Sequence, residues 1–343
     1  RNLIINGAMR VAQRGTSALT VNANSVFYPV DRFHAVGVAS AGVFTAQQVS
    51  DSPNGSDKSL KFTVTTASAS SGAYRFHYNI EGNHVAHLGF GQSWAKTFTL
   101  SFWVKSSVTG TYSGSFRNSA HNRSYVFEYT IDTANTWERK TITVTADTTG
   151  TWLTDNGSGL KIIWGLSNTA TGTAGSWQSA NYFTSTNQTE WIATSGATFY
   201  ISQVQLEVGD TATPFEHRPW DMELQRCQRY YQILARGGGA RAICNASAYS
   251  SQQAYGVAEF GSTMRANPTI SASTGTGIYE IVGNSTSKSV NSITSLTNII
   301  NESNTKVRIQ MSTTGMTQGH SVWFRYSNAN SSTTDTIKAD AEL

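Results

Sequence analysis

The chain has 343 residues, enough for two or three domains that each bury a core. Only 13% of them are charged, against about 25% in an average soluble protein, and the net charge of +4 is spread without a Lys/Arg run, which argues against a nucleic-acid binder. Two cysteines exclude a disulfide framework, and no apolar run approaches the ~20 residues of a membrane span, so no membrane insertion is expected.

Taken in order, the chain opens on a short apolar run at 2–10 that ends in the turn signal Asn6-Gly7. Strand-like runs follow at 43–49, 60–65, 74–80, 98–104, 112–117, 125–131, 140–144, 160–166 and 199–206. Turn signals separate them, among them Pro53-Asn54-Gly55, Ser71-Gly72, Thr109-Gly110 and Asn156-Gly157. Many short strands without intervening helices point to a sandwich or jelly roll. Alternation names the inner side: Tyr74, Phe76, Tyr78 and Ile80 share one face, and Arg75, His77 and Asn79 the other. Phe98, Leu100, Phe102 and Val104 repeat the pattern, as do Tyr125, Phe127, Tyr129 and Ile131. The polar faces are left for solvent or a ligand.

Residues 201–232 form a joint. The strand at 198–207 carries Phe199, Ile201, Val204 and Leu206 in imperfect alternation, and Pro214 and Pro219 punctuate the loop after it. Beyond Pro219 the spacing of Trp220, Leu224, Cys227 and Tyr231 predicts one stripe of a helix, with Asp221 and Glu223 at its start and Gly237, Gly238 and Gly239 ending it. A buried free thiol is the favoured reading of Cys227, over pairing with Cys244. Strands are predicted again at 241–246, 255–260, 269–272, 278–282, 306–311 and 321–326, while 284–304 fits either a long loop or an irregular hairpin. The expected architecture is all-β: a jelly-roll β-sandwich at 1–212, a linker with a short helix at 213–239, and a second, smaller β-sandwich tip domain at 240–343. The chain begins at Arg1 rather than Met, so a preceding part is expected.

Chemistry-bearing motifs are sparse. GxSxG, Walker A, GxGxxG and HExxH patterns are missing and the carboxylates are scattered, so no catalytic residue and no cofactor is expected. His84 and His87 would share a metal only on a helical turn; read as a loop pair, they leave no metal site expected. Asn54, Asn122, Asn156, Asn187, Asn245, Asn284, Asn301 and Asn330 begin N-x-S/T triplets, as chance provides in so Asn-, Ser- and Thr-rich a chain. The polar stretch 171–191 carries Trp177, Tyr182, Phe183 and Trp191, which either form a stacking platform for a glycan or fold back to cap the sandwich. Trp323 and Arg325 share a non-core strand face, suited to a sugar platform or, slightly favoured, a subunit interface.

Several motifs in sequence carry a resemblance: NLIINGAMRVAQRG at 2–15, Asp31-Arg32-Phe33, YNIEG at 78–82, TLSFWVK at 99–105, QLEVGDTATPFEHRP at 205–219, ELQRCQRYY at 223–231, MRANPTI at 264–270 and the terminal Asp340-Ala341-Glu342-Leu343. Their order resembles the carboxy-terminal region of tailed-bacteriophage and prophage tail fibre proteins, receptor-binding parts whose large unit is similar to jelly-roll carbohydrate-binding modules. The resemblance implies a non-enzymatic tail fibre tip in the virion tail, assembled in the host cytoplasm and acting outside the cell. It would bind bacterial surface polysaccharide and join upstream tail fibre or baseplate parts. It also implies a homotrimer, in which Trp220, Leu224, Cys227 and Tyr231 would face symmetry mates or else pack on the chain's own large domain. Asp31, Glu81 and Glu207 fall inside these motifs and are expected to hold structure by hydrogen bonding. Two other classes stay open: a carbohydrate-binding appendage of a polysaccharide-degrading enzyme whose catalytic part lies upstream of Arg1, and a purely structural connector.

Overall fold

Alternating aromatic and polar residues build the first of two units, residues 1–223 with Leu343; the second is 224–342. The computed structural model describes residues 1–38, 41–69, 72–283, 286–290, 292–298, 304–327 and 332–343. Ser71 of one predicted turn and the triplet residues Asn284, Asn301 and Asn330 lie outside the described residues.

Among the described residues the first unit is a jelly-roll sandwich of two antiparallel sheets. One has six strands in the order Leu19–Val21, Val43–Val49, Ser59–Thr66, Thr198–Val208, Thr97–Ser106 and Glu138–Thr145. The other has seven: Trp177–Gln178, Ser124–Ile131, Gly110–Arg117, Ser158–Gly165, Ala73–Glu81, Phe33–Val38 and Ser25–Val30. The predicted inner faces meet between them, with Phe76 stacked on Trp164 at 5.1 Å and on Phe62 of the opposite sheet at 4.8 Å. Each such ring contributes about 1.5–3 kcal/mol by leaving water.

The imperfect alternation in Thr198–Val208 is a bulge. Gln203 takes φ 51° and the register shifts between Ser202 and Gln205. The extra residue moves the inward set from odd to even numbers, so Phe199, Ile201, Val204 and Leu206 are all fully buried. At the bulge Val204 N donates to Gly7 O at 2.9 Å, and a Cβ on Gly7 would sit 2.1 Å from Val204 O. Only glycine lets the two backbones approach this closely.

Residues 2–15 form no strand but are tied down by side chains. Asn6 donates to the carbonyls of Val11 and Asp31, Asp31 accepts from Gln13 N at 2.9 Å, and Glu207 accepts from Thr213 N at 3.1 Å. Asn2 N donates to Glu216 at 2.6 Å and Arg218 to Ile4 O at 2.8 Å. The motifs near the start of the chain and those at 205–219 are thus one hydrogen-bonded clasp. Asp31 and Glu207 serve it, while Glu81 is fully buried at the end of its strand.

The helix is shorter than its period predicted: it runs Trp220–Gln228, and Tyr231 opens a strand, Tyr231–Arg236, that pairs with Thr336–Asp340. Tyr230, Tyr231 and Ile233 favour extended backbone, and cross-strand pairing of Tyr231 with Asp340 overrides the helical spacing. Thr269–Ala272 completes a three-stranded sheet. It packs on a seven-stranded one, in the order Thr286–Val290, Tyr279–Gly283, Ser321–Tyr326, Ala242–Ala248, Gln253–Glu259, Lys306–Ser312 and Ser295–Asn298, around Ile281, Ile309, Phe324, Tyr326 and Ile337. Within 284–304 the described strands Thr286–Val290 and Ser295–Asn298 lie at opposite edges of that sheet and so do not pair with each other as a hairpin. Cys227 and Cys244 are free thiols.

Candidate functional site

The strand Ala73–Glu81 runs into a short helical turn, Gly82–Val85, followed by a 3-10 turn, Ala86–Leu88. Gly82 allows it: a Cβ there would lie 2.3 Å from Leu153 O, and Gly82 N and Asn83 N donate to Gly157 O and Asp155 O. The helical run places His84 and His87, expected on a loop, on a turn after all. Among the described residues, however, no group of three His, Cys, Asp or Glu side chains gathers to hold a metal. Burial and then Lys96 hold His87 below its usual range.

Gly89, with φ 69°, ends the 3-10 turn, and the indole of Trp94 lies flat against it, where a Cβ would meet the ring at 2.4 Å. Gly91 N is tied to Asp147 O at 2.7 Å, bringing the 147–154 segment alongside. Between the two segments is a cleft of about 380 Å³, within the range of small-ligand sites. Phe90 and Trp152 form its floor, stacked at 4.4 Å, and Trp94, 55% exposed, forms one wall. Gln92, Thr151 and Thr154 supply neutral hydrogen-bonding groups at the rim. The lining has no Asp, Glu, His, Lys or Cys. This arrangement stacks a flat or ring-shaped ligand and hydrogen-bonds hydroxyls; it offers no acid/base pair.

The predicted contacts fall elsewhere. Trp177 is half-buried behind the cleft, edge-on to Trp152 at 5.5 Å, with Nε1 donating to Thr145 O at 2.8 Å; it braces the floor. Tyr182 is half-buried over Gly172. Trp191 is fully buried, edge-on to Phe44 at 6.1 Å, and so cannot meet a glycan. Its stretch folds back onto the sandwich because three large apolar rings lose more in water than polar neighbours lose by covering them. In the second unit Trp323 and Arg325 do share a face at 5.3 Å, but the Arg325 guanidinium is paired with Glu280 at 2.6 Å and is not open to fork onto a sugar. Of the proposed seam, Cys227 and Tyr231 are buried within the single chain and cannot face symmetry mates; Trp220, 47% exposed, and half-buried Leu224 remain.

Sequence reasoning missed Trp94. Its signal is the run Gly89-Phe90-Gly91-Gln92-Ser93-Trp94, where two glycines bracket an aromatic residue in a polar connection between strands. A wider groove of about 650 Å³ in the second unit is lined by Gln225, Arg226, Arg229, Glu259 and Lys306 beside Phe260. With long charged side chains and no tryptophan in its lining, it lacks the stacking surface of the first.

No protein-family profile and no curated protein matches the chain. Among solved structures it is similar to the enzymatically active domain of tailspike protein 4 of bacteriophage CBA120, with 15% identity over 60% of this chain and 21% of that one and a TM-score of 0.34. It spans only that fifth of the tailspike chain. It is also similar to a family 11 carbohydrate-binding module of Clostridium thermocellum in complex with a β-1,3-1,4-mixed-linked tetrasaccharide (12% identity, 58% and 99% coverage, TM-score 0.31). A third is TmCBM61 in complex with β-1,4-galactotriose (9% identity, 61% and 99% coverage, TM-score 0.32).

Proposed function

We propose that the chain is a non-catalytic, glycan-binding part of a phage tail fibre tip that attaches the virion to bacterial surface polysaccharide. The observation that carries the binding reading is the exposed Trp94 ring over a 380 Å³ cleft rimmed by amides and hydroxyls without ionisable groups. A pyranose presents one apolar face and a belt of hydroxyls, which such a cleft matches. The neutral, Ser/Thr/Asn-rich composition and the order of the tail-fibre-like motifs support the biological setting. Assembly as a homotrimer belongs to the same reading: three weak sites presented together gain avidity without tight binding at any one.

Titration of the intact chain with host surface polysaccharide tests it, alongside Trp94→Ala. Loss of at least about tenfold in affinity is expected, since 1.4 kcal/mol of stacking corresponds to tenfold. Undiminished binding by Trp94→Ala would overturn the site. Release of reducing ends from the polysaccharide by the chain itself would overturn the non-catalytic reading. For the assembly, light scattering should show a trimer that Leu224→Asp dissociates; a monodisperse monomer at high concentration rejects it.

A further inference from the structure

The outer face of the first unit's seven-stranded sheet carries a cluster of cationic side chains that no carboxylate pairs with among the described residues. Register places Arg75 and His77 beside Gly165 and Ile163, and Lys161 and Ile163 beside Arg117 and Ser115 on the next strand; His34 lies opposite His77. Arg75 and Arg117 both lay their guanidinium groups over the Phe183 ring, at 4.1 and 4.5 Å. Arg75 Nε donates to His77 Nε2 at 2.7 Å. Arg117 is only 3% exposed, yet its Nε and Nη1, and Nη1 of Arg75, have no hydrogen-bond partner. Among the described residues no carboxylate pairs with Arg75, Arg117 or Lys161.

The surroundings of these groups are positive as well as dry. Burial lowers Arg75 to about 10, and burial with Arg75 beside it lowers Arg117 to about 10. Burial, then Arg32, Lys161 and Arg75, press His34 down to about 3, so the imidazoles stay neutral and offer hydrogen bonds rather than charge. Each buried donor left unmet destabilises the fold, and like charges add to that. An oxyanion removes both penalties at once, accepting from the guanidinium forks and cancelling their charge. Half-buried Lys161 and exposed His121, 2.9 Å apart, leave the cluster an edge open to solvent.

We propose that this face binds an oxyanion substituent of the glycan through Arg75, Arg117 and Lys161, which makes the ligand an acidic polysaccharide. The proposal rests on the glycan-binding reading above and names its substrate class. Calorimetric titration of the intact chain with a glucuronic acid tetramer, a sulfated glucose tetramer and a neutral glucose tetramer tests it.

Acidic tetramers should bind roughly tenfold or more tightly than the neutral one at low salt, with the advantage shrinking as salt rises. Preference between carboxylate and sulfate then identifies the group. Arg75→Gln and Lys161→Gln should each erase most of the acidic preference and leave neutral binding unchanged, whereas Trp94→Ala weakens all three ligands. Arg117→Met, which removes an unpaired buried charge, should melt no lower than the wild type while losing the preference. Equal affinity for acidic and neutral tetramers, or a preference that survives Arg75→Gln and Lys161→Gln, overturns the acidic-ligand inference and leaves the glycan reading standing. Failure of every tetramer and of the host polysaccharide to bind overturns both.

Discussion

The strand Ala73–Glu81 has two faces that obey different physics. On one, Tyr74, Phe76, Tyr78 and Ile80 are buried in the core, and the two phenol oxygens accept from Gly42 N and Ile5 N at 2.6 and 2.7 Å. On the other, Phe183 covers the guanidiniums of Arg75 and Arg117, Gln188 accepts from Ser113 N at 2.7 Å on the neighbouring strand, and Asn79 is buried with Nδ2 donating to Leu343 O at 2.8 Å. Both faces are removed from water, but only the inner one is stabilised by removal. Burial of charge without partners leaves this face costly to the fold unless an anion meets it.

That contrast can be broken most directly on the apolar side. Trp191→Ala should cost about 3–5 kcal/mol in denaturant unfolding, as large-to-small changes in a fully buried aromatic do; a cost below 1 kcal/mol would return Trp191 to the surface. On the polar side the next largest effect is with pH. His34 at about 3, and His77 lowered well below its ordinary 6.5 by burial, then His34, Arg75, Arg117 and Lys161, are both depressed in the folded state. The unfolded chain therefore takes up protons that the folded one refuses. Stability is complete above about pH 6.5 and falls below it, by about 1.4 kcal/mol per pH unit for each histidine until its folded pKa is reached. His34 also faces Arg32 and the Tyr28 ring, so His34→Gln should flatten the slope between pH 6 and 4 by about one proton. Unfolding titrations with unchanged slope would put His34 in contact with water.

Two smaller effects sharpen the picture around the cleft. Gly89→Ala should cost about 1 kcal/mol for its left-handed backbone and displace Trp94, so a melting curve and a glycan titration should both shift. Trp94→Ala should change stability by less than about 0.5 kcal/mol, because the ring is more than half exposed, although it abolishes most glycan binding. The two tryptophans 94 and 191 thus contrast: one exposed beside a cleft, one fully buried in the core.

Strand positions were legible because half-buried sheets leave a period of two, as at 74–80 and 98–104. Strands with mixed or continuous burial escaped notice. Phe33–Val38 has both faces covered, Tyr231–Arg236 continued an apparent helical period, and Thr336–Asp340 is short and polar-edged. Among candidate contacts, aromatic residues in a polar stretch were an ambiguous sign: the same composition at 171–191 and 89–94 gave a capping segment in one case and an exposed wall in the other. Charge gave no sign at all, since Arg75, Arg117 and Lys161 are more than forty residues from one another along the chain and meet only through register.

By itself, then, the amino-acid order determined that this chain is all-β, which residues of each clear strand point inward, where glycine and proline must break the pattern, and that the surface would be poor in charge. These are local consequences of side-chain period and backbone sterics. The tertiary structure alone decided that Trp94 is exposed while Trp191 is interior, that Tyr231 belongs to a strand, and that three scattered cations share one face. Each of these depends on which distant segment comes to lie on top, and no local period records that.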